Sequence, residues 1–138
     1  MKATFTDLQD DDNPRNGQPL AGLPQVLQAI DELRAGERPR MCQVTTGNGD
    51  ILVVGIGRDF GCVQHSRDDG LPPYLMAVAR VPLPAPDELE FAVGGTMTPI
   101  DRRYLIPMDQ VADLVAQFVA SGEISDAVAW EEFDPSRG

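Results

Sequence analysis

Residues 40–66, RMCQVTTGNGDILVVGIGRDFGCVQHS, decide the fold because they hold three short β-favouring runs separated by turn signals. Residues 40–46 and 51–58 flank Gly47-Asn48-Gly49-Asp50, a sequence typical of a tight β-hairpin. Residues 62–66 add a third run after a second turn. The segment therefore predicts a hairpin that continues into a neighbouring antiparallel strand.

The residues that follow extend this pattern to about five or six strands. Residues 74–81 favour a fourth strand, and residues 88–93 alternate acidic with apolar side chains as a half-exposed strand does. The proline-rich stretch 83–86 between them cannot lie in the middle of a sheet. Residues 127–133 are predicted to form an edge strand or an extended tail. A meander is the simplest topology for this order of strands.

Two segments have the periodicity of helices. Apolar residues recur at helical spacing in residues 23–35, with Pro24 suited to the first turn and Gly36 to the position past the end. Residues 107–121 carry the clearest apolar stripe, and Asp109 suits the positive N-terminal end of the helix dipole. This stripe consists of Val111, Leu114, Val115, Phe118 and Val119. The element order predicts an α+β domain in which both helices pack on one face of an antiparallel sheet.

The first 22 residues differ in composition from the rest of the chain. They contain an acidic run at 10–12 and then a cluster of turn formers, with few apolar side chains. We therefore expect residues 1–22 to form a flexible acidic arm and residues 23–138 to form a single domain. A chain of 138 residues with 42% hydrophobic residues can bury a core without metals or disulfides.

The chain is strongly acidic, with 22 Asp and Glu against 11 Lys and Arg and a formal net charge of −11. This charge repels nucleic acids and anionic membranes at long range and favours a basic partner, although solubility alone explains it equally well. No stretch approaches the roughly 20 apolar residues of a membrane helix, and the early acids do not fit a signal peptide. We expect a cytoplasmic protein that binds neither nucleic acid nor membrane.

Few residues are suited to catalysis. His65 is the one histidine and Lys2 the one lysine, so a nucleophile with an adjacent base is hard to assemble. Cys62 and His65 lie three apart on a predicted strand, point to opposite faces, and with Cys42 give too few ligands for zinc. In a reducing compartment the two cysteines are expected to remain thiols. We predict no metal, no cofactor and no enzymatic activity.

The glycines of the segment Gly55-Ile56-Gly57-Arg58-Asp59-Phe60-Gly61 superficially match the spacing of a phosphate-binding loop. No lysine follows them, and no helix begins there whose N-terminus would hold a phosphate. We interpret them as turn glycines.

The C-terminal third carries charge of one sign. Between Tyr104 and Ser136 there is no Lys or Arg, whereas seven acidic residues fall in this window. Trp130 lies directly before two of them and is either an interface anchor or, as we favour, a core residue at the end of a strand.

Three stretches of the chain resemble a known family. They are residues 50–57 with the turn and strand as far as Gly70, residues 104–107 before the second helix, and residues 122–132, which end in Trp130-Glu131-Glu132. On these stretches the chain resembles the first-numbered immunity protein family of bacterial polymorphic toxin systems, whose members often neutralise nucleic-acid deaminase toxins. The resemblance implies a cytosolic antidote that, as a monomer, binds one cognate toxin domain and blocks its active site.

A toxin that acts on nucleic acids needs basic residues for phosphates, so an acidic antidote would match it in sign and associate rapidly. We predict that binding uses acids in turns or past the ends of predicted elements, where they reach a partner without disturbing the core. These are Asp68, Asp69, Asp87, Glu88, Glu123, Asp126, Glu131 and Glu132. The alternatives are a non-catalytic regulatory or scaffolding domain unrelated to toxins, or an enzyme that uses paired acids with a divalent metal.

Overall fold

The computed structural model describes residues 3–7, 19–20, 23–35, 39–46, 50–67, 74–79, 85–93, 96–121, 124 and 127–133. Within these residues the chain forms ten β-strands and two α-helices and belongs to the predicted α+β class. The strands are β1 (Ala3–Asp7), β2 (Pro19–Leu20), β3 (Arg40–Thr46), β4 (Ile51–Ile56), β5 (Phe60–Ser66), β6 (Tyr74–Val78), β7 (Glu88–Val93), β8 (Thr96–Asp101), β9 (Ile106–Pro107) and β10 (Ala129–Phe133). The helices are α1 (Leu23–Arg34) and α2 (Met108–Ser121), and a single 3-10 turn covers Arg102–Tyr104.

The strands form one curled, mixed sheet. Seven of them follow the order β10-β6-β5-β4-β3-β1-β2. Strands β3 to β6 are successive antiparallel neighbours, which confirms the central part of the predicted meander. The β7–β8 hairpin joins β3 through one parallel pairing, Arg40 with Ala92, and β9 pairs with the start of β5. The sheet is therefore larger than predicted and not wholly antiparallel, because pairing between distant strands leaves no mark on local sequence patterns.

Four strands were not predicted from the sequence: the longer strands β1 and β8 and the two-residue strands β2 and β9. Strand β1 pairs with β3 along its whole length and Phe5 is only 2% exposed, so Ala3–Asp7 belong to the sheet and differ from the expected flexible arm. Strand β8 pairs with β7 although it contains Pro99, which an edge strand tolerates. The remainder of the predicted arm, apart from Pro19–Leu20, lies outside the described residues.

Both helices pack on one face of the sheet, as predicted. The apolar stripe of α2 is buried together with Ala29, Ile30 and Leu33 of α1 and the sheet residues that face them. The first helical N–H, that of Met108, donates to the carbonyl of Asp59 at 3.0 Å and fixes α2 over the β4–β5 turn. We call this core the helix side. Gly36, predicted to end α1, lies outside the described residues.

The β7–β8 hairpin covers the opposite face of the sheet. Phe91 is fully buried there in a cluster with Met41, Cys62 and Met76, which we call the hairpin side. A Cβ placed on Gly55 would lie 2.6 Å from the Cys62 sulfur and 2.9 Å from Cε1 of Phe91. Glycine at this position therefore lets the hairpin pack directly on the backbone of β4.

Candidate functional site

Two of the predicted binding acids form ion pairs within the chain. An Asp87 carboxylate oxygen lies 3.5 Å from a guanidinium nitrogen of Arg102, and the Asp87 side chain is 98% exposed. Arg103 donates to both carboxylate oxygens of Glu131, with 2.9 Å between Nε and Oε1. In the free protein, each of these two carboxylates therefore already has a guanidinium group beside it.

The Arg103–Glu131 pair ties the end of the hairpin to β10. Asp101 caps the 3-10 turn by accepting a hydrogen bond of 2.9 Å from the Arg103 backbone N–H, which places the Arg103 side chain toward β10. The hydrogen bond that Arg103 donates to Glu131, together with the negative charge of Glu131, raises the pKa of Arg103 above its ordinary value. This guanidinium remains charged and occupied by an intramolecular partner.

Glu131 and Glu132, neighbours in sequence, face opposite sides of the sheet. Glu131 lies across from Met76 of the hairpin side, whereas Trp130 lies across from Ala77 of the helix side. Glu132 is on the same face as Trp130 and is exposed. Trp130 is half-buried against the helix side, as expected for a core residue at the end of a strand. The two acids therefore cannot contact one small cleft together from a single face.

The other predicted acids divide into two groups. Glu88 begins β7 and is exposed. Asp68, Asp69, Glu123 and Asp126 lie outside the described residues.

The hairpin adds acids that the sequence analysis did not select. In its register Glu88 lies opposite Asp101, Glu90 opposite Pro99 and Ala92 opposite Met97. The exposed residues on this side are Glu88, Glu90, Met97, Pro99 and Asp101, which we call the outer face of the hairpin. Within the described part of the chain, neither Glu88 nor Glu90 forms an ion pair. The alternation of acidic and apolar residues in 88–93 could have indicated that Glu90 is exposed. The position of Asp101 on the same face could not be predicted without knowing that β8 is a strand.

His65 and the cysteines do not form a common site. His65 is only 14% exposed, and its ring meets the Phe118 ring edge-on at 6.0 Å. Its Nε2 atom lies 3.6 Å from a carboxylate oxygen of Asp50. Cys62 belongs to the hairpin side and Cys42 to the helix side, so the sheet separates the two thiols.

Burial governs the chemistry of Cys62. It raises the pKa of the thiol to about 12, and a backbone hydrogen bond with Gly55 opposes this shift only in part. A thiol with this pKa is protonated at neutral pH and is a poor nucleophile.

The glycines near the β4–β5 turn serve close packing. A Cβ on Gly57 would collide with the carbonyl oxygen of Phe60, and one on Gly61 with the carbonyl oxygen of Gly55. Gly61 also lies under Met108 and Val111 of α2, so a side chain there would push the helix away. These contacts are made within the chain and give the glycines a structural role in place of phosphate binding.

The described residues contain no group of three or more His, Cys, Asp or Glu side chains arranged to hold a metal ion. None of the helices in this part of the chain combines the length and apolar character needed to cross a membrane.

Comparison with known proteins gives a match over most of the chain. The family model described as Immunity protein Imm1 matches residues 17–132, a span that includes both helices, the meander and the hairpin. No curated protein matches the sequence.

Proposed function

This chain belongs to the Imm1 family of immunity proteins, and on that premise we propose that it inhibits a nucleic-acid-directed toxin, such as a cytidine deaminase, by covering the active site. An immunity protein binds a cognate toxin protein.

The net charge of −11 on a protein of this family is the observation that carries the proposal. A toxin that handles nucleic acid needs a positively charged surface around its active site to hold phosphates. An acidic protein competes for that surface directly, and long-range attraction accelerates the encounter.

The described residues support a binding role. The Cys62 thiol is protonated at neutral pH and is therefore a poor nucleophile. Exposed acids on the hairpin, in contrast, are available to a partner.

Where a gene next to that of this chain encodes a candidate toxin, the test uses its product, purified with an inactivating change in its active site. We expect a one-to-one complex whose association rate falls on the order of tenfold between low and physiological salt. Failure to form a complex would overturn the proposal.

A second experiment addresses the mechanism with the active toxin. When it is added in an amount equal to that of the toxin, the chain should abolish conversion of cytosine to uracil in single-stranded DNA. The DNA should also fail to bind to toxin that is already in complex with this chain. A ternary complex of toxin, DNA and this chain would exclude occlusion, and a toxin that cuts nucleic acid without deamination would exclude the deaminase assignment.

A further inference from the structure

We propose that the outer face of the β7–β8 hairpin is the surface on which a basic segment of the toxin docks, an inference that rests on the proposed function. The inner residues of the hairpin, led by Phe91, pack on the sheet. The outer face is uncovered in the described structure and presents Glu88, Glu90 and Asp101 with Met97 and Pro99.

The register of the hairpin places two negative charges directly opposite each other. Glu88 pairs with Asp101 across the strands, an arrangement that destabilises a sheet when no cation lies between the carboxylates. The fold itself does not need this pair, because the hairpin is held by the apolar residues on its other side. An arginine or lysine of a partner placed between the carboxylates would turn this repulsion into attraction.

The nearby arginines do not cancel this charge. Arg102 makes its ion pair with Asp87, and Arg103 makes its pair with Glu131 of β10. Each arginine is thus matched by an acid that lies beside the outer face, and neither arginine forms an ion pair with Glu88 or Glu90.

The proline in β8 favours recognition of the partner by side chains over backbone pairing with an added strand. Its outer edge has no partner strand among the described residues, but Pro99 in the middle of the strand lacks the N–H that an added strand would need. Met97, with 36% of its surface exposed, supplies an apolar contact near the tip of the hairpin. The partner is therefore a basic surface or segment that lies across the face.

The acids on the helices do not require a binding partner to account for their presence. Asp109 stabilises the first turn of α2 through the helix dipole, and Asp31 and Asp113 lie on exposed helical surfaces. These last two residues provide a matched control, since they are exposed acids on the side of the sheet opposite the hairpin.

The experiment compares two double charge reversals with the same change in net charge, Glu88→Lys/Glu90→Lys and Asp31→Lys/Asp113→Lys. Association with the inactivated toxin is measured at low and physiological salt. We expect the hairpin variant to associate on the order of tenfold more slowly and to lose much of its salt dependence, whereas the helix variant stays within about threefold of the natural chain.

The outcomes separate the two proposals. If the natural chain does not bind, the proposed function fails and this inference fails with it. If it binds and both variants slow association equally, or the hairpin variant binds like the natural chain, only the docking surface is excluded. If the hairpin variant has a thermal unfolding midpoint equal to or above that of the natural chain, misfolding is excluded as the cause of its slower association.

A second measurement places the contact without any substitution. Dilute peroxide should oxidise exposed Met97 in the free chain, while the buried Met41, Met76 and Met108 serve as internal references. Toxin should slow Met97 oxidation severalfold, and an unchanged rate in the complex would overturn the proposal.

Discussion

The two sides of the sheet are built on different principles. On the helix side, α1 and α2 bring long apolar stripes onto strands β1 and β3 to β6 and form the larger core, with Phe118 fully buried. On the hairpin side a single two-stranded ribbon closes a smaller cluster around Phe91, and this closure depends on the absence of a side chain at Gly55. The helix side therefore supplies most of the stability, and the hairpin side supplies a thin layer that displays charge.

The largest effect should come from removing the centre of the helix side. Phe118→Ala deletes a fully buried ring and is expected to lower the free energy of unfolding by about 3–5 kcal/mol. Urea denaturation measures this loss, with Gln117→Ala on the exposed surface of the same helix as the control. If both variants lost a similar, small amount of unfolding free energy, the helix side would not be the main source of stability.

The hairpin side should respond to an added methyl group. Gly55→Ala places a Cβ against the Cys62 sulfur and the Phe91 ring and is expected to cost about 1–3 kcal/mol. Adding Cys62→Ala removes the closest contact, so a double-mutant cycle should show partial recovery. Strict additivity of the two changes would mean that the sulfur does not limit the packing.

Alkaline pH provides a further test of the hairpin side through Cys62. The pKa of this thiol is about 12 in the folded chain and lies above its ordinary value of 9.0. Below pH 9 the thiol is therefore protonated in both the folded and the unfolded chain, and its titration does not lower the free energy of unfolding. Between pH 9 and 12 the unfolded chain releases the proton first, and the free energy of unfolding should fall by about 1.4 kcal/mol per pH unit. In Cys62→Ala the decline should be shallower by this amount, as denaturation at several pH values would show.

The smallest effect concerns the outer face of the hairpin. Glu88→Lys replaces the repulsion across from Asp101 with attraction and should raise the free energy of unfolding of the free chain by about 0.2–1 kcal/mol. Glu90→Lys, opposite the uncharged Pro99, is the control and should change stability less. A destabilised Glu88→Lys variant would show that the acid contributes to the fold itself.

The parts of the fold with strong local patterns were predictable. The apolar stripe of α2 and the turn residues between β3 and β4 are short-range signals, and helix α2 and the antiparallel β3–β4 pair formed where these signals placed them. Strand β8 was missed because Pro99 and alternating threonines give it little apolar character, and β1 because Phe5 is its one large apolar residue.

The arrangement of charges could be predicted only in part. Exposed acids on β7 follow from alternation, but the pairing of Arg103 with Glu131 joins residues 28 positions apart and depends on how β10 meets the 3-10 turn. The opposition of Glu88 and Asp101 likewise depends on the hairpin register. Composition alone therefore predicted an acidic surface without showing which acids remain uncompensated.

The position of β10 in the sheet has a consequence for protein synthesis. Strand β6 pairs with β5 on one edge and with β10 on the other, although Ala129–Phe133 are translated long after Tyr74–Val78. Because translation proceeds at about 5–20 residues per second, β10 is synthesised several seconds after β6, and the outer edge of β6 is unpaired during that time. During that interval the nascent chain exposes the apolar run Tyr74-Leu75-Met76-Ala77-Val78, and the arrival of β10 replaces it with an edge that carries Glu131 and Glu132, a change that discourages aggregation.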